Sequence, residues 1–390
     1  MNDAIRFSRQ EFEGQARPRR SVGARTSKDA AMSRFDFQEP NRNVFAALPD
    51  YLAYRIGLRD PRDPVAVEMS ERAMTLPDIL RHVTGAGRDV PIAIVADRAL
   101  GMDDLRQSLV TAAGTLATGQ FNLLIAWMWN LVRRIPVATF RPVRPQAMSA
   151  DGFVVVPEHG EIPYSGVQVD EGLESSQLET LGALRNISRQ AIINDDIGAI
   201  SAQIDAIVAA ANLQMMTSLA ATLESTATLS DSLAFFNSTS GNLISTGSAP
   251  SVTSLDEATT KLYRATRPKG GTVCALPKYL LIPPELLATG RTLVSATFDY
   301  SGSDIMGGNL PSGQMGLAVL PFSNTKAWYV LADPAVEPAI AILTLQGAAS
   351  PLLIESRPTP ISRDGVSYRA SLDFKVTRLS RYGALKNPGQ

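Results

Sequence analysis

Two histidines, one cysteine and a few paired carboxylates are the side chains of this 390-residue chain with the makings of a reactive site. His159 lies in Pro157-Glu158-His159-Gly160-Glu161, where two carboxylates would raise its pKa, and Tyr164-Ser165-Gly166 follows shortly after. A Ser–His–acid triad needs a hydroxyl, an imidazole base and a carboxylate to orient it. The glycine-flanked elbow that would present such a serine is missing, so His159 reads as a solvated side chain or a subunit contact. His82 closes an amphipathic helical stretch, where an imidazole complements a helix C-terminus. Cys274, between Val273 and Ala275-Leu276, reads as a small core residue rather than a nucleophile. Asp195 and Asp196 would hold Mg²⁺ only with a third acidic ligand, which the sequence does not place nearby; at a helix start they read as caps.

The wider inventory narrows the chemistry further. Neither Gly-x4-Gly-Lys-Ser/Thr nor Gly-x-Gly-x-x-Gly after a strand occurs, so no phosphate-cradling loop is expected. A single cysteine excludes a disulfide framework within the chain and a cysteine-based zinc or iron–sulfur site. The expectation is no cofactor, no metal and no catalytic residue. A balance of 37 basic and 38 acidic side chains, net -1, argues against a protein whose main task is gripping nucleic acid. The N-terminal MNDAIRFSRQ is charged, and the longest apolar run, Phe121–Val132, falls short of the roughly 20 residues a membrane span requires. The expected product is soluble and intracellular, with no membrane partner.

Near-zero net charge hides segregation. Residues 1–34 carry eight basic and four acidic groups, 151–260 carry two and fourteen, and 361–390 carry six and two. Each stretch could be a solvated face; alternatively, acidic and basic segments of neighbouring copies meet, since complementary fields steer association and fix register.

The elements that must position these groups follow from periodicity. RPRRSVGARTSKD at 17–29 has almost nothing to bury, and the first 70 residues read as an arm, with a short helix at Phe45–Gly57 that Pro61 and Pro64 break. Leu76–Ile135 reads as several helices, including LPDILRHVTGAG, which ends on glycines, and a helix capped by Asp103 and Asp104. If Trp127 and Trp129 sit on a helix, they point to different sides, one to the core and one to an interface. Residues 141–180 contain a brief strand, Phe153–Val156, followed by six carboxylates: Glu158, Glu161, Asp170, Glu171, Glu174 and Glu179. They hold too few apolar residues for a core, and an outward-reaching β-hairpin covered by a partner is the physical solution.

After a cap at Asn194 or Asp195, Ile197, Ile200, Ile204, Ile207, Ala211 and Met215 form one helical stripe. A loop-rich stretch at 225–254 follows, and Ser254-Leu255-Asp256-Glu257 reads as a capping box opening a helix to about Arg267. Strands are expected at Tyr279–Ile282, Leu317–Leu320, Trp328–Leu331 and Ile340–Leu345. The clearest is Tyr368–Thr377, which alternates apolar and polar residues.

At Ile187–Asp196, ISRQAIINDD together with the alanine-rich helix behind it resembles the Mu-like phage major head subunit (gpT-like) family, whose domain also occurs fused to ClpP-like prohead proteases. FNSTSGNL at 236–243 is similar to that family's Phe-Ser-x-x-His-Gly-Asn-Leu, with Ser240 in place of the histidine. LLIPPELLATG at 280–290, AWYVLADP at 327–334 and DFKVTRLSRYGALKNPG at 373–389 resemble its later segments in order. Ser380-Arg381-Tyr382-Gly383 departs from the Asp-x-Arg-Gly frequent there, and residues 1–70 have no counterpart.

The resemblance implies an α+β fold, the tailed-phage major capsid fold, shared with herpesvirus capsid floors and encapsulins. Its parts would be a flexible N-terminal arm at 1–75 and a helical region at 76–140, followed by an extended loop at 141–180. A peripheral domain at 181–228 and 347–390 would carry a spine helix at 195–226, and an axial domain would span 229–346. It implies a major capsid protein of a tailed phage or prophage, a virion component assembled in the bacterial host cytoplasm. This protein would form hexamers and pentamers of an icosahedral shell around double-stranded DNA. Portal, head-completion, prohead protease and decoration proteins would be its partners, and packaged DNA would be contacted non-specifically. The alternatives are an encapsulin enclosing a cargo enzyme and, more remotely, a serine hydrolase using His159. Assembly contacts are expected from Glu158, Glu161, Asp170, Glu171, Glu174 and Glu179, from Arg17, Arg19 and Arg20, and from Trp127 and Trp129. Some capsids of this fold crosslink a loop lysine to a neighbour's asparagine; residues 141–180 contain no lysine.

Overall fold

The computed structural model describes residues 42–57, 59–100, 103–150, 156, 158, 167–170, 173–267, 272–295, 298–301, 304–308, 315–356 and 365–390. Five helices come first: α1 (Arg42–Arg55), α2 (Pro64–Glu71), α3 (Leu76–Thr84), α4 (Ile92–Leu100) and α5 (Asp103–Ile125). Their ends are written locally. Asp63 caps α2 by accepting from the Val65 N–H, and Pro64 occupies the first turn, where its missing N–H costs nothing. Thr75 and Asp78 form a capping box on α3, and Gly85, at φ +64°, ends that helix in the left-handed conformation.

Two expectations change here. Pro64 opens a helix rather than only breaking one, and residues 42–75 are no loose arm. Val44, Leu48, Tyr51, Ala66 and Met69 are buried in the main core. The 17–29 segment lies outside the described residues.

The chain then forms β1 (Arg133–Val137), β2 (Ala147–Ala150), β3 (Val167–Asp170), β4 (Glu179–Ser188), α6 (Arg189–Ile193) and α7 (Ile197–Glu224). α7 has 28 residues, so it runs about 42 Å. The expected stripe faces inward: Ile200, Ile204, Ile207, Ala211 and Met215 are buried, with α5 and β12 packed alongside. By length and composition α7 alone among the described helices could cross a membrane, yet this apolar stripe is spent on the protein's own core. Its cap is Asp196, which accepts from the Ala199 N–H, not Asn194 or Asp195. Asn194 instead ends α6.

The last third supplies α8 (Val252–Tyr263), β5 (Pro277–Ile282), α9 (Leu287–Ser295), β6 (Phe298–Ser301), β7 (Asp304–Gly308), β8 (Gly316–Val319) and β9 (Trp328–Ala332). β10 (Ile340–Leu345), β11 (Leu352–Ser356), β12 (Gly365–Arg378) and β13 (Ala384–Asn387) complete it. The capping box of α8 is Ser251 with Ser254, one turn earlier than the sequence pattern suggests, and the helix stops at Tyr263 because Arg264 already leaves it. Cys274 is exposed at φ +47°, so the core reading of that residue is overturned; its apolar neighbour Ala275 is the one buried.

Two sheets organise the molecule. In the first, β12 pairs antiparallel with β4 over Gly365–Phe374, with β11 over Tyr368–Leu372 and with β10 over Phe374–Arg378, while β1 lies parallel to β10. Tyr368–Leu372 therefore have partners on both edges, and most of β12 is buried. The alternation read from the sequence holds: Val366, Tyr368, Ala370, Leu372, Phe374 and Val376 lie in the main core, while Arg369, Asp373 and Lys375 turn to the other face and stay partly exposed. The second sheet runs β13-β9-β5-β8 and packs on α8 and α9 through Leu255, Leu262, Leu280, Trp328 and Leu385. The chain crosses between sheets after β9 and returns with β13. A division at 346/347 thus cuts through both sheets, because β10 and β13 each bond with strands from the other stretch.

Candidate assembly surfaces

The acidic segment is rooted by one ion pair. Glu174 accepts from the Arg378 backbone N–H (2.9 Å), Nε (3.1 Å) and Nη2 (2.9 Å). The Arg378 side chain is 7% exposed and that of Glu174 24%. Burial alone would raise the Glu174 carboxyl, but the Arg378 hydrogen bonds and charge hold it below its ordinary value. Beside it, the Ser176 hydroxyl donates to Thr377 Oγ1 (2.7 Å), and Val143 and Ser176 exchange backbone bonds. Beyond this root, β2 and β3 pair antiparallel, Ala147 opposite Asp170, forming the base of a hairpin.

The segments that carry the resemblance are positioning devices. Asn237 accepts from the Ser240 N–H (2.7 Å) and donates to the Ala234 carbonyl, tightening FNSTSGNL into a turn. Asn242 donates to the Phe235 carbonyl (2.9 Å), and the Arg381 guanidinium, 6% exposed, bonds Asp231 and the carbonyls of Leu233, Ala234 and Phe235. Those Arg381 bonds also lower the Asp231 carboxyl pKa. Near the chain end, Asn387 accepts from the N–H groups of Ser248 (3.0 Å) and Gly389 (2.9 Å). Gly383 has no room for a side chain: a Cβ there would lie 2.2 Å from the Glu337 carbonyl oxygen.

Where this sheet meets α7, Glu224 at the helix end accepts from the N–H groups of Ser323 and Asn324. The Lys386 amine sits over the rings of Tyr329 and Phe236 at 5.6 and 5.9 Å. Burial lowers its pKa, and the Glu224 carboxylate partly opposes that shift. The N-terminal helices are tied in by Asp195, which accepts from both Arg55 terminal nitrogens (3.0 and 2.9 Å) and from the Leu76 N–H (2.9 Å). Neither this bridge nor the Glu174–Arg378 root has a sequence signal, since the partners are 140 and 204 residues apart.

The expected contact residues are distributed unevenly. Glu158 is exposed, and Glu179 pairs with Lys375 of its own chain at 2.5 Å. Asp170 ends β3. Glu161, Glu171, Arg17, Arg19 and Arg20 lie outside the described residues, as do His159, Ser165 and most of the Phe153–Val156 strand. Trp127 and Trp129 are not on α5, which stops at Ile125; Trp129 sits in a short 3₁₀ helix, Met128–Asn130, with Trp127 at its N-cap. Both are half-buried against the main core, and the Arg134 guanidinium stacks 3.6 Å over Trp129. Among the described residues, no three His, Cys, Asp or Glu side chains cluster to hold a metal ion.

These features belong to an α+β scaffold from which the acidic segment leaves through the paired strands β2 and β3. Residues 172–387 match the family model described as phage capsid protein, more than half of the chain, and the chain belongs to that family. It is a phage capsid protein, a component of the virion. Solved structures similar to it include the capsid of Myoviridae phage XM1 (11% identity, 68% of this chain and 92% of that one, TM-score 0.43). Another is the capsid of cyanophage P-SCSP1u (13%, 66% and 86%, 0.40). A third is the holo-SrpI encapsulin complex of Synechococcus elongatus PCC 7942 (12%, 68% and 87%, 0.41). A search of curated proteins gave no match.

Proposed function

We propose that the chain builds an icosahedral shell of hexamers and pentamers around double-stranded DNA, as a tailed-phage head subunit of the Mu-like, gpT-like kind. The observation that carries this reading is the family match over 172–387, with the five resembling segments in order inside or bordering it. In this reading the first sheet with α7 as spine forms the peripheral domain, and the second sheet with α8 and α9 forms the axial domain. The 141–180 segment is the extended loop, and residues 1–41 lace neighbouring subunits. Arg17, Arg19 and Arg20 meet Glu158, Glu161, Asp170 or Glu171 of an adjacent copy, complementary charge that steers docking. Glu174 and Glu179 are already paired within their own chain and contribute through loop position.

Portal, head-completion, protease and decoration proteins act on the shell in the host cytoplasm, and packaged DNA touches its inner surface without sequence preference. Negative-stain microscopy of the overexpressed protein tests this: closed shells or capsomers are expected. Small soluble oligomers with hydrolase activity would overturn it, and shells purified from infected cells with an enzyme cargo instead of DNA would favour an encapsulin.

A further inference from the structure

β4 is a strand that the subunit leaves half-finished. It bonds to β12 over its full length, Glu179 to Ser188, and among the described residues to no other strand. Residues 179–185 are all exposed, although the β12 residues opposite them are largely buried. In an antiparallel strand every second residue turns its N–H and C=O away from its one partner, so this edge presents a row of main-chain groups. Leu184 on this strand is 64% exposed, and on the same sheet face, across β12 on β11, Leu353 lies opposite Ser371 in line with Gly182 and is 47% exposed.

The charges around that face are already matched in cis. Arg369 pairs with Glu355 at 3.0 Å, Lys375 with Glu179, and the Thr180 hydroxyl donates to Asp373 at 2.6 Å. These groups leave no net positive charge to attract a phosphate backbone; what remains is apolar surface and main-chain hydrogen-bonding capacity. Soluble proteins normally blunt such an edge with charge, proline or a bulge, because it templates pairing with another chain. None of these devices interrupts residues 180–184, Thr-Leu-Gly-Ala-Leu.

We infer that the β4 edge is an interface at which an extended segment of a second copy of this chain adds a strand to the first sheet. This rests on the capsid reading, which supplies the second copy. Continuity supports that occupant: β4 emerges directly from the acidic hairpin and its Glu174–Arg378 root. Main-chain pairing also suits a subunit that must repeat one contact in hexamers and pentamers. Backbone bonds tolerate small changes of angle that a set of interlocked side chains would not.

Amide hydrogen exchange on free subunits and on assembled shells tests the inference. Peptides covering 179–185 should exchange at least about tenfold more slowly in shells, while exposed positions such as Leu213 on α7 need not change. Leu184→Lys should leave the unassembled subunit folded by circular dichroism and abolish shells, whereas Leu213→Lys should assemble. Shells that form with unchanged exchange at 179–185 would overturn the inference and leave the capsid reading standing. Full protection in the free subunit, showing that the chain's own residues cover the edge, would also overturn it. Failure of the wild-type protein to form shells under any condition would count against the capsid reading itself.

Discussion

Replacing Glu174 by glutamine removes one charge from a pair whose other member cannot reach water. Arg378 is 7% exposed, and its Nε, Nη2 and backbone N–H all converge on the Glu174 carboxylate. Breaking a fully buried pair costs about 3–5 kcal/mol, because a desolvated charge is left behind. Glu174 is 24% exposed, so water takes over part of its role, and the glutamine oxygen still accepts one bond. The expected loss is about 2–3 kcal/mol. Urea denaturation of unassembled subunits, followed by tryptophan fluorescence, reads it as a lower midpoint at unchanged slope.

The pH dependence supplies an independent check. The Glu174 carboxyl is held below its ordinary 4.5 when folded. Its contribution is therefore complete above that value and is lost as pH falls through the lowered one. The gap between wild type and E174Q should accordingly close in acid. Pairing E174Q with R378M removes the stranded charge as well and should recover stability to within about 1 kcal/mol of wild type. A single-variant loss below about 0.5 kcal/mol, or a double variant as unstable as E174Q, would refute the reasoning.

Gly383→Ala should destabilise the subunit by about 2–4 kcal/mol, since its Cβ would meet the Glu337 carbonyl and the Ala339 N–H, both backbone; calorimetry of free subunits reads this. Lys386→Met should be at least as stable as wild type at neutral pH. The folded-state pKa of Lys386 is lowered, so wild type should gain stability as pH rises toward 10 while the variant does not; parallel pH curves would refute this. Asp195→Ala should cost about 2–3 kcal/mol by stranding Arg55 and the Leu76 N–H, and should speed proteolysis within residues 42–100. Because residues 141–180 contain no lysine, assembled particles should run as monomer bands on denaturing gels, and covalent ladders would refute that expectation.

The parts of the fold legible in the sequence are those set by neighbours along the chain. The α7 stripe, the strands at 277–282, 328–332 and 340–345 and the cap glycine at 85 all report a local period or a local backbone need. Such signals fail where local patterns compete. Ser254 looks like a cap but serves as the third residue of a helix already begun at Ser251. Cys274 lies in an apolar run, yet its backbone at φ +47° leaves it exposed. Trp127 and Trp129 follow an apolar helical pattern that stops two residues too soon.

By itself, the sequence determined the long helix, the core strands and the ordered segments that mark the family, because periodicity and turn chemistry act between adjacent residues. Tertiary structure alone decided which charges remain to bind anything. Glu174, Glu179 and Asp195 find cations on strands and helices far away along the chain, so their carboxylates are satisfied at home. It also decided that β12 would be sandwiched and β4 left at an edge. Register, not composition, assigns hydrogen-bond partners, and a strand's unpaired side exists only once its neighbours are in place.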